Sequence, residues 1–107
     1  MPKSEHYYQQ ALEQVALGNL GDAILLLERA VEECADNAQV TKLLAQLNLR
    51  IDEVRAFQNW CHESLRINPR DPEPHEMLAA YFAANGRSGE AEEELRVAAE
   101  LRHSLSA

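Results

Sequence analysis

Glycine, proline, cysteine, aromatic side chains and positive charge are all scarce in this chain, and each shortage excludes something. The four glycines among 107 residues sit at Gly18, Gly21, Gly86 and Gly89. All four belong to turns, so no glycine-rich loop remains to cradle a phosphate. The four prolines lie near predicted helix ends. Only two cysteines occur, Cys34 and Cys61, and they are far apart in the chain. They are read as buried thiols in a reducing compartment and not as a disulfide framework. Ten basic residues against eighteen acidic ones leave a net charge of -8. That balance withholds the cationic footprint needed by nucleic acid or an anionic membrane, so neither is expected as a partner. No segment approaches the ~20 apolar residues of a membrane span. The opening MPKSEHYYQQ lacks an apolar run of signal-peptide length, which makes the cytoplasm the expected location.

What is present describes an ordered, soluble chain. Hydrophobic residues make up 46% and charged residues 26%, an ordinary globular balance. At this length one compact domain would bury roughly 65% of its unfolded surface. The charge is uneven: residues 4–37 carry seven acids and one Arg, residues 72–105 carry seven acids and three Arg, and the stretch between is close to neutral.

An internal period explains the pattern. The step from Gly18 to Gly86 is the same as that from Gly21 to Gly89, Ala11 to Ala79, Ala23 to Ala91, Leu27 to Leu95, and Ala30 to Ala98. Half that step relates Leu44 to Leu78 and Ala45 to both Ala11 and Ala79. Three equal units follow, 4–37, 38–71 and 72–105, and each reads as two helices around a tight turn. The clearest copy sets Leu78, Ala79 and Phe82 on a first helix, which Asn85-Gly86 ends. Ser88 then caps a second helix carrying Ala91, Leu95, Ala98 and Leu101. In the first unit, helices are expected at about Ser4–Leu17 and Asp22–Cys34, with the turn at Gly18–Gly21. In the middle unit, Asn37 and Asp52 are expected as caps, and Asp71-Pro72 opens the helix after Asn68-Pro69. Phe57 is expected in the core and Trp60 on a more exposed face.

A 34-residue helix-turn-helix with small residues at fixed places resembles the tetratricopeptide repeat (TPR). The resemblance rests on Leu78-Ala79, Phe82, Gly86, Ala91, Leu95 and Ala98 in the third unit, and on Tyr7, Ala11, Gly18, Ala23, Leu27 and Ala30 in the first. The middle unit supplies Leu44, Ala45 and the closing Leu65–Pro69. It implies an all-α fold, a right-handed superhelical stack of three repeats and six helices forming a single domain. Alanine and glycine let paired helices approach closely, so these residues record packing. Departures occur at Gln10, Gln14, Asn48, Phe57 and Ser64, where the family usually has apolar, aromatic or small residues.

Catalytic chemistry is poorly represented, and no enzyme activity, cofactor or metal is expected. Cys61 and His62 are neighbours, but adjacent helical residues point about 100° apart, which suits one metal ion poorly. Ser64, Ser88 and His103 come with no strained nucleophile turn or oxyanion hole. The acids Glu90, Glu92, Glu93 and Glu94 spread around a helix as a solvated face.

Two interaction surfaces remain. In the resembled family the first helices of successive repeats line a concave groove that binds another protein or peptide. Carried over, the groove holds Glu5, Tyr8, Leu12 and Val15; then Lys42, Gln46, Leu49 and Arg50; then Glu73, Glu76, Ala80 and Ala83. Lys42, Gln46 and Arg50, four apart, form one stripe. Such a groove suits an amphipathic helix or extended peptide with some acidic character. The bland alternative assigns Tyr8, Leu12 and Leu49 to packing and the charges to solvent. A heat-shock-chaperone C-terminal tail is not an expected ligand. The family's carboxylate clamp of Lys, Asn, Asn, Lys and Arg is replaced here by Tyr8, Leu12, Leu43, Glu73 and Met77. The second surface is Val97, Leu101 and Leu105, a stripe four apart that would make a homodimer seam or, with Glu90 and Glu94, a partly polar terminal cap. Through it the chain would act as a self-assembling scaffold or a chaperone for a secreted or assembling protein.

Overall fold

In the computed structural model, which describes residues 2–106, six helices follow one another: α1 Lys3–Ala16, α2 Leu20–Glu33, α3 Ala38–Arg50, α4 Val54–Ile67, α5 Glu73–Ala84 and α6 Ser88–Ser106. No strand occurs among the described residues. The six helices fit three helix-turn-helix repeats. They divide into two compact units, Met1–Trp60 and Cys61–Ala107.

One turn geometry recurs three times. Gly18, Asp52 and Gly86 have positive φ, at +81°, +65° and +73°, and they hold the same place in the three successive repeats. At each, the next amide reaches back to a carbonyl five residues earlier: Asn19 N to Gln14 O at 2.9 Å, Glu53 N to Asn48 O at 2.8 Å, and Arg87 N to Phe82 O at 2.9 Å. This left-handed ending satisfies orphan carbonyls of the first helix and reverses the chain within about three residues. The second helix therefore starts early. α2 begins at Leu20 and α6 at Ser88, so Gly21 lies in a helix's first turn and Ser88 is helical instead of standing outside as a cap. Asp52 corrects the expectation more sharply. It is no cap for α4, but takes the left-handed place that glycine holds in the other two turns. Aspartate is among the few residues that tolerate that region.

Other signals behave as written. Asn37 Oδ1 accepts from the amides of Gln39 and Val40 at 3.1 and 3.4 Å. Asp71 Oδ1 accepts from Glu73 N at 3.0 Å, and Pro72 already has helical angles.

In the first unit, Ala11, Ala23, Leu27, Ala30, Val40, Leu44 and Leu47 form the core, with Tyr7, Tyr8, Val15 and Trp60 packed against it. Phe57 is fully buried and Trp60 half-buried. The two glutamines that depart from the family's apolar pattern are half-buried, and Gln14 closes the turn by accepting from Asn19 Nδ2 at 2.9 Å. Asn48, in an aromatic's place, is buried and donates to Leu44 O at 2.8 Å.

In the second unit, Cys61, Ser64, Pro74, Leu78, Ala79, Phe82, Ala91 and Ala98 are buried. Polar ties fasten α5 and the loop before it to α6: His75 Nδ1 to Glu94 Oε2 at 2.6 Å, Arg102 to both Glu76 oxygens at 2.8 and 2.5 Å, and Arg70 to Ser104 at 3.3 Å. Two expectations fail. Leu95, expected on the apolar face of α6, is 53% exposed. Cys34, expected as a buried helical thiol, is exposed at the end of α2, where its backbone turns extended.

Candidate partner-binding surface

Within the first unit, α1 and α3 carry eight residues of the groove expected from the sequence. On α1, Tyr8 and Val15 are half-buried against the core. Leu12, one turn from each, is 38% exposed, and Glu5 is exposed at the helix start. The spacing 5, 8, 12 and 15 keeps all four on one helix face. On α3, Lys42 and Leu49 are half-buried while Gln46 and Arg50 are exposed. Tyr8 and Val15 thus join both readings, packing and groove, whereas Leu12, Gln46 and Arg50 hold much of their surface in reserve.

In the second unit, Ala80 and Ala83 are exposed on α5 and Glu76 is half-buried. Glu76 is engaged by Arg102, whose hydrogen bond holds its carboxyl below the usual 4.5. Glu73 is exposed. The stripe expected to self-associate divides: Val97 and Leu101 are half-buried, while Leu105 is 61% exposed.

The acidic run of α6 is partly neutralised. Arg96 pairs with Glu93 and with Glu100 at 2.6 Å, Arg87 with Glu90 at 2.6 Å, and Glu94 meets His75. The Cys61 thiol is pushed up to about 12 by burial, with Glu94 adding to the effect, which removes it from thiolate chemistry at neutral pH. Among the described residues no three His, Cys, Asp or Glu side chains gather as a metal site requires, and no described helix is long and apolar enough to cross a membrane.

One feature escaped the sequence. A cavity of about 340 Å³ opens where α1 and α3 begin and α2 ends, lined among others by Ser4, Glu5, Tyr8, Cys34, Asn37 and Gln39. Its residues come from two separated stretches, 2–9 and 34–39, and Asn37 drew notice only as a cap. Ser4 sits in a polar opening segment that gives no hint of burial.

No family model matches the sequence, and no curated protein does. Solved structures do share its fold. MamA superposes with a TM-score of 0.92 at 17% identity over 98% of this chain, which spans 61% of that one. The Yersinia enterocolitica type III secretion chaperone SycD, in complex with a peptide of the translocator YopD, gives 0.83 at 18% identity, over 91% of this chain and 74% of that one. The second TPR of Spaghetti (RPAP3), bound to the HSP90 peptide SRMEEVD, gives 0.81 at 14% identity over 92% of each chain. The chain therefore has the tetratricopeptide-repeat fold, and its six helices correspond to three such repeats.

Proposed function

We propose that this chain is a non-catalytic protein-interaction module that binds a peptide or partner helix along the inner faces of its first helices. One observation carries the reading. On α1, Leu12 keeps 38% of its surface open between half-buried Tyr8 and Val15. Exposed Gln46 and Arg50 stand on α3 in the same unit. An apolar strip beside polar and cationic groups fits an amphipathic partner. The same reading includes Ala80 and Ala83 on α5 and takes the whole chain, residues 1–107, as one domain of three equal repeats. Two neighbours in fold hold peptides in their structures, which supports the use of this architecture for peptide capture. The SRMEEVD type of tail remains disfavoured, because the clamp positions hold Tyr8, Leu12, Leu43, Glu73 and Met77. Cys34 and Cys61 are free thiols, which suits a reducing compartment and the cytoplasm.

Panning a displayed library of dodecapeptides tests the reading. Selected peptides should lose at least tenfold in affinity with Leu12→Glu or Arg50→Glu and be unmoved by Leu25→Glu, a change at a 62% exposed site on α2. Failure to select any peptide above background, or peptides indifferent to the α1 and α3 changes, would overturn it.

A second reading has its own observation: Leu95 and Leu105 of α6 are 53% and 61% exposed. A homodimer formed on this helix, as a scaffold or an assembly chaperone, would appear as doubled mass in light scattering and be dissolved by Leu105→Glu. A monomer at all concentrations removes it.

A further inference from the structure

The outer surface of α2 carries a charge pattern that is its own complement. Asp22, Leu25, Leu26 and Arg29 are spaced so that all four share one face of the helix. Leu25 is 62% exposed, Leu26 is half-buried, and both charged residues are exposed. Together with Gln14 of α1 they line a cavity of about 330 Å³.

Neither charge is answered within the chain. Arg87, Arg96 and Arg102 each hold a carboxylate. Asp22 and Arg29, by contrast, make no ion pair or side-chain hydrogen bond among the described residues.

Their placement is symmetric. Asp22 and Arg29 lie roughly 5 Å along the helix axis on either side of the midpoint between Leu25 and Leu26. A two-fold axis through that midpoint lays a second α2 antiparallel on the first. It sets Asp22 of each copy opposite Arg29 of the other, and Leu25 of each against Leu26 of the other. The cavity beside these leucines gives the incoming Leu25 a place to seat. No like charges meet at the ends of the strip, because exposed Glu33 falls opposite Gly18 and exposed Glu32 opposite Asn19. A partner of another sequence would need this reversed pattern by coincidence, whereas a second copy supplies it by symmetry.

We propose that this face of α2 is a homodimer contact, with two Asp22–Arg29 ion pairs around a centre of Leu25 and Leu26. It is separate from the seam on α6 and uses none of the α1 and α3 residues assigned to the peptide. Two exposed ion pairs contribute little each, and a contact built on 14-residue helices is at the small end of stable interfaces. The dimer is therefore expected to be reversible with concentration.

Sedimentation equilibrium of the whole chain up to about 1 mM tests it. The mass should rise toward twice the monomer, and Leu25→Glu should weaken the association roughly tenfold or more. Asp22→Arg and Arg29→Asp, each alone, set like charges opposite one another at both ends, and each should be monomeric. An equimolar mixture of those two variants should dimerise again, because every facing pair is then of opposite charge. Both changes are at exposed positions, so helix content measured by circular dichroism should stay that of the parent. Association that survives Leu25→Glu but is lost in Leu105→Glu would move the seam to α6 and overturn the proposal. A mixture that stays monomeric, or a parent that is monomeric at every concentration, would overturn it too. The peptide-binding reading is decided separately, by the panning.

Discussion

α2 and α6 occupy the same place in the first and third repeats, yet they treat one face in opposite ways. α2 packs on α3, and along it Leu20, Ile24 and Val31 pack against the core of the first unit, with Leu27 fully buried in it. Their counterparts two repeats later are Ser88, Glu92, Leu95 and Ala99. Of these Leu95 is half-open, the other three are exposed, and no described helix follows them. In the middle repeat the Leu27 position holds Cys61, also fully buried. Contrast this with the face that closes each hairpin: Ala11, Ala45 and Ala79 are identical and nearly inaccessible. The opening helix shows the same rule. Val40, Leu44 and Leu47 are buried on α3, while their counterparts on α1 are His6, Gln10 and Glu13. The buried alanine of the first helix is the same in all three repeats, whereas the apolar face of α2 is not repeated on α6.

The comparison can be broken hardest inside a hairpin. Ala79→Glu places a carboxylate at a site only 2% exposed and should cost on the order of 4 kcal/mol in urea unfolding, as should Ala11→Glu. An unchanged transition would mean that the helix faces are misassigned. The between-repeat face comes next. Leu27→Ala should cost about 3 kcal/mol, whereas Leu95→Ala at the equivalent position should stay within about 0.5 kcal/mol. Equal losses would show Leu95 to be covered in solution.

The difference can also be sharpened by construction. Ser88→Leu, Glu92→Ile and Ala99→Val together give α6 the face of α2, and that variant should self-associate in light scattering where the parent does so less. A smaller effect concerns the turns. Asp52→Gly should gain roughly 0.5 kcal/mol by removing a Cβ from a left-handed position, and Gly18→Ala should lose about 1 kcal/mol. The smallest is electrostatic. Because the Arg102 hydrogen bond lowers the Glu76 carboxyl below its ordinary 4.5, this pair adds stability above that pH and loses it as pH falls through the lower folded value. Glu76→Gln should remove that slight acid dependence, so the stability difference between parent and variant should hold constant above about pH 5 and shrink below about pH 4.

Much of the fold was legible because repetition multiplies weak signals. Leu78, Ala79 and Phe82 show a helix face once; an alanine at the same place in every repeat, Ala11, Ala45 and Ala79, shows an architecture. Asn37 and Asp71 were readable as caps because capping is local. Asp52 was misread for the opposite reason: a non-glycine residue in left-handed conformation resembles a cap until its backbone angles are known. Of the proposed partner surface, the residues on α1 and α3 were expected from the family resemblance. The cavity was not, since Ser4, Cys34 and Asn37 share no pattern.

By itself the sequence determined the helices, their period and the small residues where paired helices touch, since these depend on residues within one turn or one hairpin. Tertiary structure alone decided that Leu27 is buried and Leu95 is not, that Cys34 is open and Cys61 closed, and that Ser4 faces a cavity. Burial is a property of what lies across from a residue, and a single leucine carries no record of whether another helix covers it.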